Sequence, residues 1–408
     1  MFQSDFRQVV YALSDALDLV GVDDVAHGKR VGVMAAECAK ALGLSQDEVQ
    51  FFFDLGLLHD VGVSTTTVHQ HLVTEFDWEG SQEHAIVGYD LLKDFRPLAP
   101  FALPIRYHHT RWDHLLAEGV GAAVRRQANL ILLVDRVDAI AAPHYATGQV
   151  LQNSRRIRAE IESRRGTYFD PELVDIFMKV SKHEAFWLYL EPAALAGYLQ
   201  DMMASGRPIG ASHAEMLQLA RVFSTIVDAK SPFTAEHSKG VARVARALGQ
   251  RLGLDPDRCD ELEMAALLHD LGKLRIPDAI LDKPGPLDED ERFVMNTHSF
   301  QTLQILRKIQ GFESIASWAA NHHEAPGGSG YPYGLDGAAL PLEARVLRVA
   351  DMFQAMAQDR PYRKGLSAGA IADFMKAQRE RGNIDGLITD VLLADLDGMM
   401  KTATQPVG

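Results

Sequence analysis

Histidine and aspartate recur in this chain at one spacing, twice, and this repetition restricts how the chain can fold. His237 is followed after 32 residues by a His-Asp pair, and His27 is followed by a His-Asp pair at the same interval. In each half, a single histidine then stands 24 residues before a His-His pair, and an aspartate comes last. The two sets are His27, His59, Asp60, His84, His108, His109 and Asp135, and His237, His269, Asp270, His298, His322, His323 and Asp351. Imidazole nitrogen and carboxylate oxygen are ligands that borderline divalent metals prefer, so the pattern predicts a metal centre in each half.

The repetition extends to apolar segments. Leu42-Gly43-Leu44 corresponds to Leu252-Gly253-Leu254, and Leu57-Leu58-His59-Asp60 corresponds to Leu267-Leu268-His269-Asp270. The offset between the copies is 210 residues at the start and 216 near the end, because the connecting loops differ in length. A constant core with loop-length differences is typical of a duplicated domain.

Both copies are predicted to be helical, which makes the fold class all-α. A 3.6-residue apolar period runs through corresponding segments, at Val31, Met34, Ala35, Cys38, Ala39 and Leu42, and at Val241, Val244, Ala245, Leu248 and Leu252. Gly43 and Gly253 suit the ends of these two helices. A further helix is expected from Asp260 to Leu268, with Asp260 or Cys259 near its cap. Alternating β patterns are scarce.

The chain length allows two domains. Its 408 residues match two domains of about 150–200 residues each. We place the domains at residues 1–200 and 211–408, with Gly206-Arg207-Pro208-Ile209-Gly210 as the candidate linker. A bend near Glu191-Pro192 would close the first domain earlier.

Composition excludes some classes of function. The net charge of −14 argues against a broad basic surface for polymeric nucleic acid, but a metal cluster can still attract a small anion. Cys38 and Cys259 are far apart inside predicted helices, so we interpret them as core residues in a reducing compartment. The N-terminus lacks a signal-peptide pattern, and no run of about 18 apolar residues occurs. We therefore expect a soluble cytoplasmic protein without membrane contact.

Seven ligands are too many for one ion. Taken alone, each histidine is more simply a surface residue or a hydrogen-bonded core residue, but two matching sets inside apolar helices favour metal binding. Two ions that share a bridging carboxylate would use the seven ligands well, and such pairs activate phosphoryl centres for in-line attack. Iron, manganese and zinc all suit these ligands. Five histidines outside the two sets are interpreted as surface residues: His69, His71, His114, His183 and His213.

The second copy resembles an HD-GYP domain, a subgroup of the HD phosphohydrolase superfamily. His269-Asp270-Leu271-Gly272-Lys273 matches the HD-x-G-K signature, and Lys283-Pro284-Gly285-Pro286-Leu287 matches the next block. Asn321-His322-His323-Glu324 and Gly330-Tyr331-Pro332-Tyr333-Gly334-Leu335 match the blocks that name the family. Arg360-Pro361-Tyr362-Arg363 completes the pattern.

The resemblance implies a helical, metal-dependent phosphodiesterase that acts on a cyclic dinucleotide, cyclic di-GMP or 3′,3′-cyclic GMP-AMP. It assigns His237, His269, Asp270 and Asp351 to one metal, and His298, His322, His323 and bridging Asp270 to the other. Iron or manganese is the expected pair. The implied catalytic residues are Asp270 and Lys273, and the implied substrate contacts are Lys273, Tyr331, Pro332, Arg360 and Arg363. A GGDEF-type cyclase and a second copy of the chain are the candidate partners.

Departures from the family pattern limit these expectations. Three-metal members carry a glutamate four residues before the first histidine, where this chain has Phe233, so we expect two metals and a linear dinucleotide as the main product, which puts mononucleotides in doubt. The first copy keeps its seven ligands but has Val63 in place of Lys273 and no GYP loop. Its Asp23 is either an oxygen ligand for a third metal or a helix cap. We therefore predict a degenerate first domain that binds metal and serves regulation or packing.

Two other functions remain open at this point. The chain could be a non-hydrolytic sensor that holds the nucleotide or metals and signals by contact. It could also be a triphosphate or alarmone hydrolase of the wider superfamily, although the Gly330-Tyr331-Pro332 block weighs against this.

Overall fold

A computed structural model describes residues 6–20, 26–74, 80–205, 210–231, 236–359 and 364–405. Helices make up 71% of the structure, and the described ranges contain no β-strand. The predicted all-α class is confirmed. The chain divides into two compact units, a first unit over residues 6–209 and a second unit over residues 210–408.

The helices of the first unit surround one apolar core. They are α1 Phe6–Asp18, α2 His27–Ala41, α3 Gln46–Leu58, α4 Thr66–Thr74, α5 Ser81–Leu92, α6 Ala99–Tyr107, α7 Trp112–Leu115, α8 Ala122–Tyr145, α9 Val150–Glu162, α10 Pro171–Val180, α11 Glu184–Leu188 and α12 Pro192–Ser205. Helix α2 is buried along nearly its whole length. It crosses α3 closely, since a Cβ on Gly56 would lie 2.5 Å from Cα of Gly32. The predicted period of α2 is therefore the pattern of a central helix.

The helices of the second unit follow a similar order. They are α13 His213–Ala229, α14 His237–Arg251, α15 Pro256–Leu268, a 3₁₀ helix at Leu271–Arg275, α16 Asp278–Leu281, α17 Glu289–Leu306, α18 Glu313–Ala320, α19 Leu342–Ala357, α20 Ala368–Glu380, α21 Gly386–Ala394 and α22 Leu396–Thr404. The core of this unit lies between α14, α15 and α19, where Val241, Leu262 and Leu347 are fully buried. Of the repeated polar residues, His237 lies on α14, His269 directly follows α15, and Asp351 lies on α19.

Helix ends follow local chemistry. Gly43 and Gly253 adopt φ values of +73° and +80° just after α2 and α14, which confirms their predicted place. The expected start of α15 near Asp260 is wrong, because the helix begins at Pro256 with the carboxylate of Asp255 accepting from the backbone N–H of Arg258. Aspartate at the cap and proline in the first turn are both favoured, so the signal lay four residues earlier.

Other expectations from the sequence have mixed outcomes. Cys38 and Cys259 are buried free thiols, as predicted. Residues 206–209 of the candidate linker lie outside the described part of the chain. Glu191-Pro192 does not close the first unit, because α12 continues it to Ser205. None of the described helices is long and apolar enough to span a membrane.

Candidate metal centres

The repeated polar residues of the second unit lie where helices end or cross. His237 opens α14, and His269 directly follows α15. His322 and His323 come just after α18. Asp270 lies between α15 and the 3₁₀ helix, and the other two candidate ligands lie within helices, His298 on α17 and Asp351 on α19.

These side chains converge around Asp270. Its Oδ2 lies 3.2 Å from Nε2 of His269, and its Oδ1 lies 3.5 Å from Nε2 of His298. Oδ1 is also 3.8 Å from Nε2 of His322. On the far side, Nε2 of His237 lies 3.0 Å from Oδ1 of Asp351. Oδ2 of Asp270 thus faces His269 while Oδ1 faces His298 and His322, an arrangement that suits a carboxylate bridging two metal ions.

Backbone carbonyls orient the imidazoles. Nδ1 of His269 lies 2.6 Å from the carbonyl oxygen of Ala266, three residues earlier. His298 and His322 make the same contact with the residues three positions before them, at 2.7 and 2.6 Å. A ring that donates its Nδ1–H in this way keeps the lone pair of Nε2 for a metal.

The electrostatics of the cluster favour metal-competent protonation states. Burial lowers the pKa of His298 to about 4 and, with neighbouring histidines, lowers the pKa values of His322 and His323 well below their usual range. Burial alone would raise the pKa of Asp270, but His269 and Lys273 hold it well below its usual value. These shifts favour neutral imidazoles and an ionised carboxylate, the protonation states in which these groups bind metal.

The glycine of the HD-x-G motif sets the distance between two ligand segments. A Cβ on Gly272 would lie 2.0 Å from the carbonyl oxygen of His298. The corresponding distance from Gly62 to the carbonyl oxygen of His84 is also 2.0 Å. Only glycine allows this approach. The glycine of the motif therefore lets the helix that carries His298 pack next to Asp270.

The first unit builds a similar cluster around Asp60. Oδ2 of Asp60 lies 3.3 Å from Nε2 of His59, and Oδ1 lies 3.2 Å from Nε2 of His84. His108 is 3.7 Å from the same Oδ1. Nε2 of His27 lies 3.3 Å from Oδ1 of Asp135. The candidate ligands of the first unit therefore lie together although this unit has no GYP loop.

Both clusters fit divalent metal ions. Ligand atoms within 4.8 Å of one another form the groups Asp60, His84, His108 and His109; His27, His59 and Asp135; His298, His322 and His323; His237, His269 and Asp351; and His269, Asp270 and His322. Oδ1 of Asp60, Oδ1 of Asp270 and Nε2 of His269 are buried without a hydrogen-bond partner in the described part of the chain. Buried polar atoms without partners are costly, and a cation would satisfy these.

Some predicted substrate contacts lie beside the cluster. Nζ of Lys273 lies 2.6 Å from Oδ2 of Asp270. The ring of Tyr331 stacks on His323 with centroids 4.7 Å apart, so an imidazole covers one of its faces, and Pro332 follows it directly. Arg360 and Arg363 lie outside the described residues. The same holds for Asp23 and Phe233.

The structure gives roles to residues for which the sequence analysis proposed none. Glu324 is buried, and its carboxylate accepts from the backbone N–H groups of Tyr333 and Leu335, which fixes the GYP loop. In the first unit, Asp138 contacts His27.

The surface interpretation of His69 is wrong, because its side chain is buried and lines a cavity of about 20 Å³ beside His27. The repeat could not indicate His69, because the equivalent position of the second copy, nine residues after Asp270, is Ala279.

Known proteins match both units. Two family models described as HD domain match residues 25–142 and 221–388. The chain is 38% identical over 395 residues to the 3′3′-cGAMP-specific phosphodiesterase 1 of Vibrio cholerae serotype O1, which covers 95% of this chain and 91% of that relative. The chain belongs to the HD-GYP family. This HD-GYP protein is a phosphoric diester hydrolase with two helical HD domains in tandem.

Further matches separate into two kinds. The HD-GYP chain is 32% identical to the 3′3′-cGAMP-specific phosphodiesterase 3 of V. cholerae serotype O1, over 75% of this chain and 70% of the relative. A solved structure of a cyclic GMP-AMP specific phosphodiesterase from V. cholerae matches with a TM-score of 0.65 and 25% identity, over 97% of this chain and 98% of that one. The cyclic di-GMP phosphodiesterase response regulator of Xanthomonas campestris pv. campestris is 38% identical, but over only 45% of this chain and 48% of its own.

Proposed function

We propose that the second unit of this HD-GYP protein hydrolyses 3′,3′-cyclic GMP-AMP to a linear dinucleotide. The observation that carries the proposal is the position of Asp270, whose Oδ2 faces His269 while its Oδ1 faces His298 and His322. Relatives named for cyclic GMP-AMP match the chain across both units, which supports this substrate. Cyclic di-GMP is the second candidate, because relatives named for it match about half of the chain.

We propose that the second unit binds two metal ions, and that these are iron or manganese. One would be held by His237, His269, Asp270 and Asp351, and the other by His298, His322, His323 and Asp270. The donor set is all nitrogen and oxygen, which suits these metals. When bound, such a pair supplies Lewis-acid activation of a phosphoryl group and of water for in-line displacement.

The side chains of the second unit would do the rest. Lys273 carries a fixed positive charge next to Asp270 and would offset the negative charge that develops on the phosphoryl oxygens. Tyr331 and Pro332 would border the substrate beside His323, and we assign Arg360 and Arg363 to phosphate contacts as well. Water adds to phosphorus and the sugar 3′-oxygen leaves, which opens the ring and leaves a linear dinucleotide.

We propose a second metal centre in the first unit, without turnover. Its ligand groups support metal binding. Val63 stands where the second unit has Lys273, and it is buried, so this position offers no cation for a phosphoryl oxygen. A regulatory or packing role would follow.

A substrate panel tests the proposal. Purified full-length protein, kept reduced and supplied with iron or manganese, is incubated with each cyclic dinucleotide and the products are separated by chromatography. We expect a linear dinucleotide, with a higher kcat/KM for cyclic GMP-AMP. His269→Ala should lower kcat by more than about 100-fold, since loss of an outer partner of a ligand alone costs 10–100-fold. His59→Ala should leave product formation largely intact.

The panel also separates the alternatives. Tight nucleotide binding without product under metal-replete conditions would favour the sensor. A preference for a nucleoside triphosphate or an alarmone would favour the wider superfamily. Loss of product in His59→Ala with retention in His269→Ala would move catalysis to the first unit.

A further inference from the structure

His27 and His237 are the first residues of corresponding helices, but the Nδ1 atoms of their rings have different neighbours. In the first unit, Nδ1 of His27 lies 2.7 Å from Oδ2 of Asp138. In the second unit, Nδ1 of His237 is buried, and none of the described residues gives it a hydrogen-bond partner. Both rings turn Nε2 toward an aspartate of the cluster, at 3.3 Å from Asp135 and 3.0 Å from Asp351.

Asp138 is fixed from several sides. Its carboxylate is fully buried and accepts two hydrogen bonds from the guanidinium of Arg30, at 2.7 and 2.9 Å. The hydroxyl of Tyr145 donates to Oδ1 at 2.5 Å, and the guanidinium of Arg30 lies 4.0 Å from the centroid of the same tyrosine ring. A buried carboxylate paired in a bidentate manner has one position and stays ionised. It is therefore a rigid support for the imidazole of His27.

The second unit has different residues at the positions that build this support. By the repeat offsets of 210 and 216 residues, Gly240 replaces Arg30 and Gln354 replaces Asp138. The amide of Gln354 fills the space, since a Cβ on Gly240 would lie 2.2 Å from its Nε2. That amide donates to the carbonyl oxygen of Ala403 at 3.3 Å. The difference between the units is thus a coordinated exchange of two residues.

We propose that Asp138 is a positioning residue for a divalent metal ion in the first unit, and that this centre holds its metal more tightly than the centre of the second unit. A carboxylate that accepts the Nδ1–H of a ligating histidine fixes its tautomer and raises its basicity toward the metal. His27 has this partner, and none of the residues that the structure describes supplies one to His237. The inference takes from the proposed function only that both units bind metal.

Metal retention in full-length protein tests the inference. Two backgrounds isolate the centres: His269→Ala with Asp270→Ala leaves the first unit's centre, and His59→Ala with Asp60→Ala leaves the second unit's. Each protein is loaded with manganese and challenged with a chelator, and bound manganese is measured by mass spectrometry and electron paramagnetic resonance. We expect a dissociation constant about 10–100-fold lower for the first unit's centre. Asp138→Asn should remove this advantage in the first background and change nothing in the second.

Folding controls keep the result interpretable. Asp138→Asn leaves Arg30 without its buried counter-charge, so circular dichroism and thermal melting accompany every variant. Arg30→Met with Asp138→Asn removes the charge pair as a unit, and Tyr145→Phe removes one hydrogen bond while the pair stays. The first combination should weaken manganese binding as Asp138→Asn does, and Tyr145→Phe should weaken it by a few-fold.

Two results would overturn the inference. Equal retention by the two centres, or unchanged manganese affinity in a folded variant that lacks the Asp138 carboxylate, would remove the positioning role and leave the proposed phosphodiesterase intact. Failure of the first unit to bind manganese in any background would also overturn the inference, together with the proposed metal centre of that unit.

Discussion

At the scale of single residues, Gly272 links the two halves of the proposed catalytic centre. Its Cα lies against the helix that carries His298, and an added methyl group would meet the carbonyl oxygen at 2.0 Å. Gly272→Ala should therefore lower the free energy of unfolding by about 1–3 kcal/mol, as overpacking does, and reduce metal content and phosphodiesterase activity. Thermal melting, metal analysis and product formation check this.

Matched glycines serve as controls for this substitution. A methyl group added to Gly369 would have nothing within 4 Å of it, so Gly369→Ala should be neutral or slightly stabilising. Gly62→Ala should destabilise the protein as Gly272→Ala does, since it faces the carbonyl oxygen of His84 at the same distance, but it should spare product formation. Equal behaviour of Gly272→Ala and Gly369→Ala would show that the close approach has no energetic weight.

The residues that sequence comparison missed share a cause. The repeat highlighted positions that both halves keep, and these include the seven polar residues of each cluster. Asp138 and Arg30 correspond to Gln354 and Gly240 in the second half. A search for residues shared by the two halves therefore does not find them. The burial of Asp138 beside His27 depends on how α8 packs against α2, which spacing along the chain does not encode.

At the scale of structural elements, the loop after α18 is held by one buried side chain. The carboxylate of Glu324 accepts from the backbone N–H groups of Tyr333 and Leu335 at 2.6 and 2.9 Å. Glu324→Gln replaces one accepting carboxylate oxygen with an NH₂ group that faces a backbone N–H, so one of the two hydrogen bonds is lost. We expect a loss of about 1–3 kcal/mol in the free energy of unfolding, the range for a buried group left unsatisfied, and faster hydrogen exchange over residues 326–336.

A nearby carboxylate gives the matched control. Asp336 accepts from the backbone N–H groups of Ala338 and Ala339 but is exposed to solvent. Water replaces lost hydrogen bonds there, so Asp336→Asn should cost less than about 1 kcal/mol and leave hydrogen exchange near Tyr331 unchanged. If both substitutions have the same small effect, Glu324 does not organise the loop.

Element boundaries show where sequence patterns are sufficient. The glycines after α2 and α14 gave the helix ends, because a left-handed residue ends a helix whatever packs around it. The start of α15 was misplaced although Asp255-Pro256 is a strong local signal. The apolar period alone could not give it, since the first turn of that helix carries two charged residues, Asp257, which is exposed, and Arg258, which is half-buried.

At the scale of the whole molecule, the duplication predicts two metal-dependent contributions to stability. A ligand that binds only the folded state adds about 2.7 kcal/mol when its concentration is 100 times its dissociation constant. Removing bound metal from wild-type protein with a chelator should therefore lower the melting temperature by roughly 5–10 °C, given about 2–4 °C per kcal/mol for units of this size. His59→Ala and His269→Ala should each abolish part of this shift, and the double variant should abolish all of it. His183→Ala alters an exposed histidine outside both clusters and should leave the shift unchanged. Two sets of candidate ligands that come together only on folding must couple metal binding to stability. If neither chelator nor added manganese changes the melting temperature of the wild type, neither cluster binds metal in the folded chain.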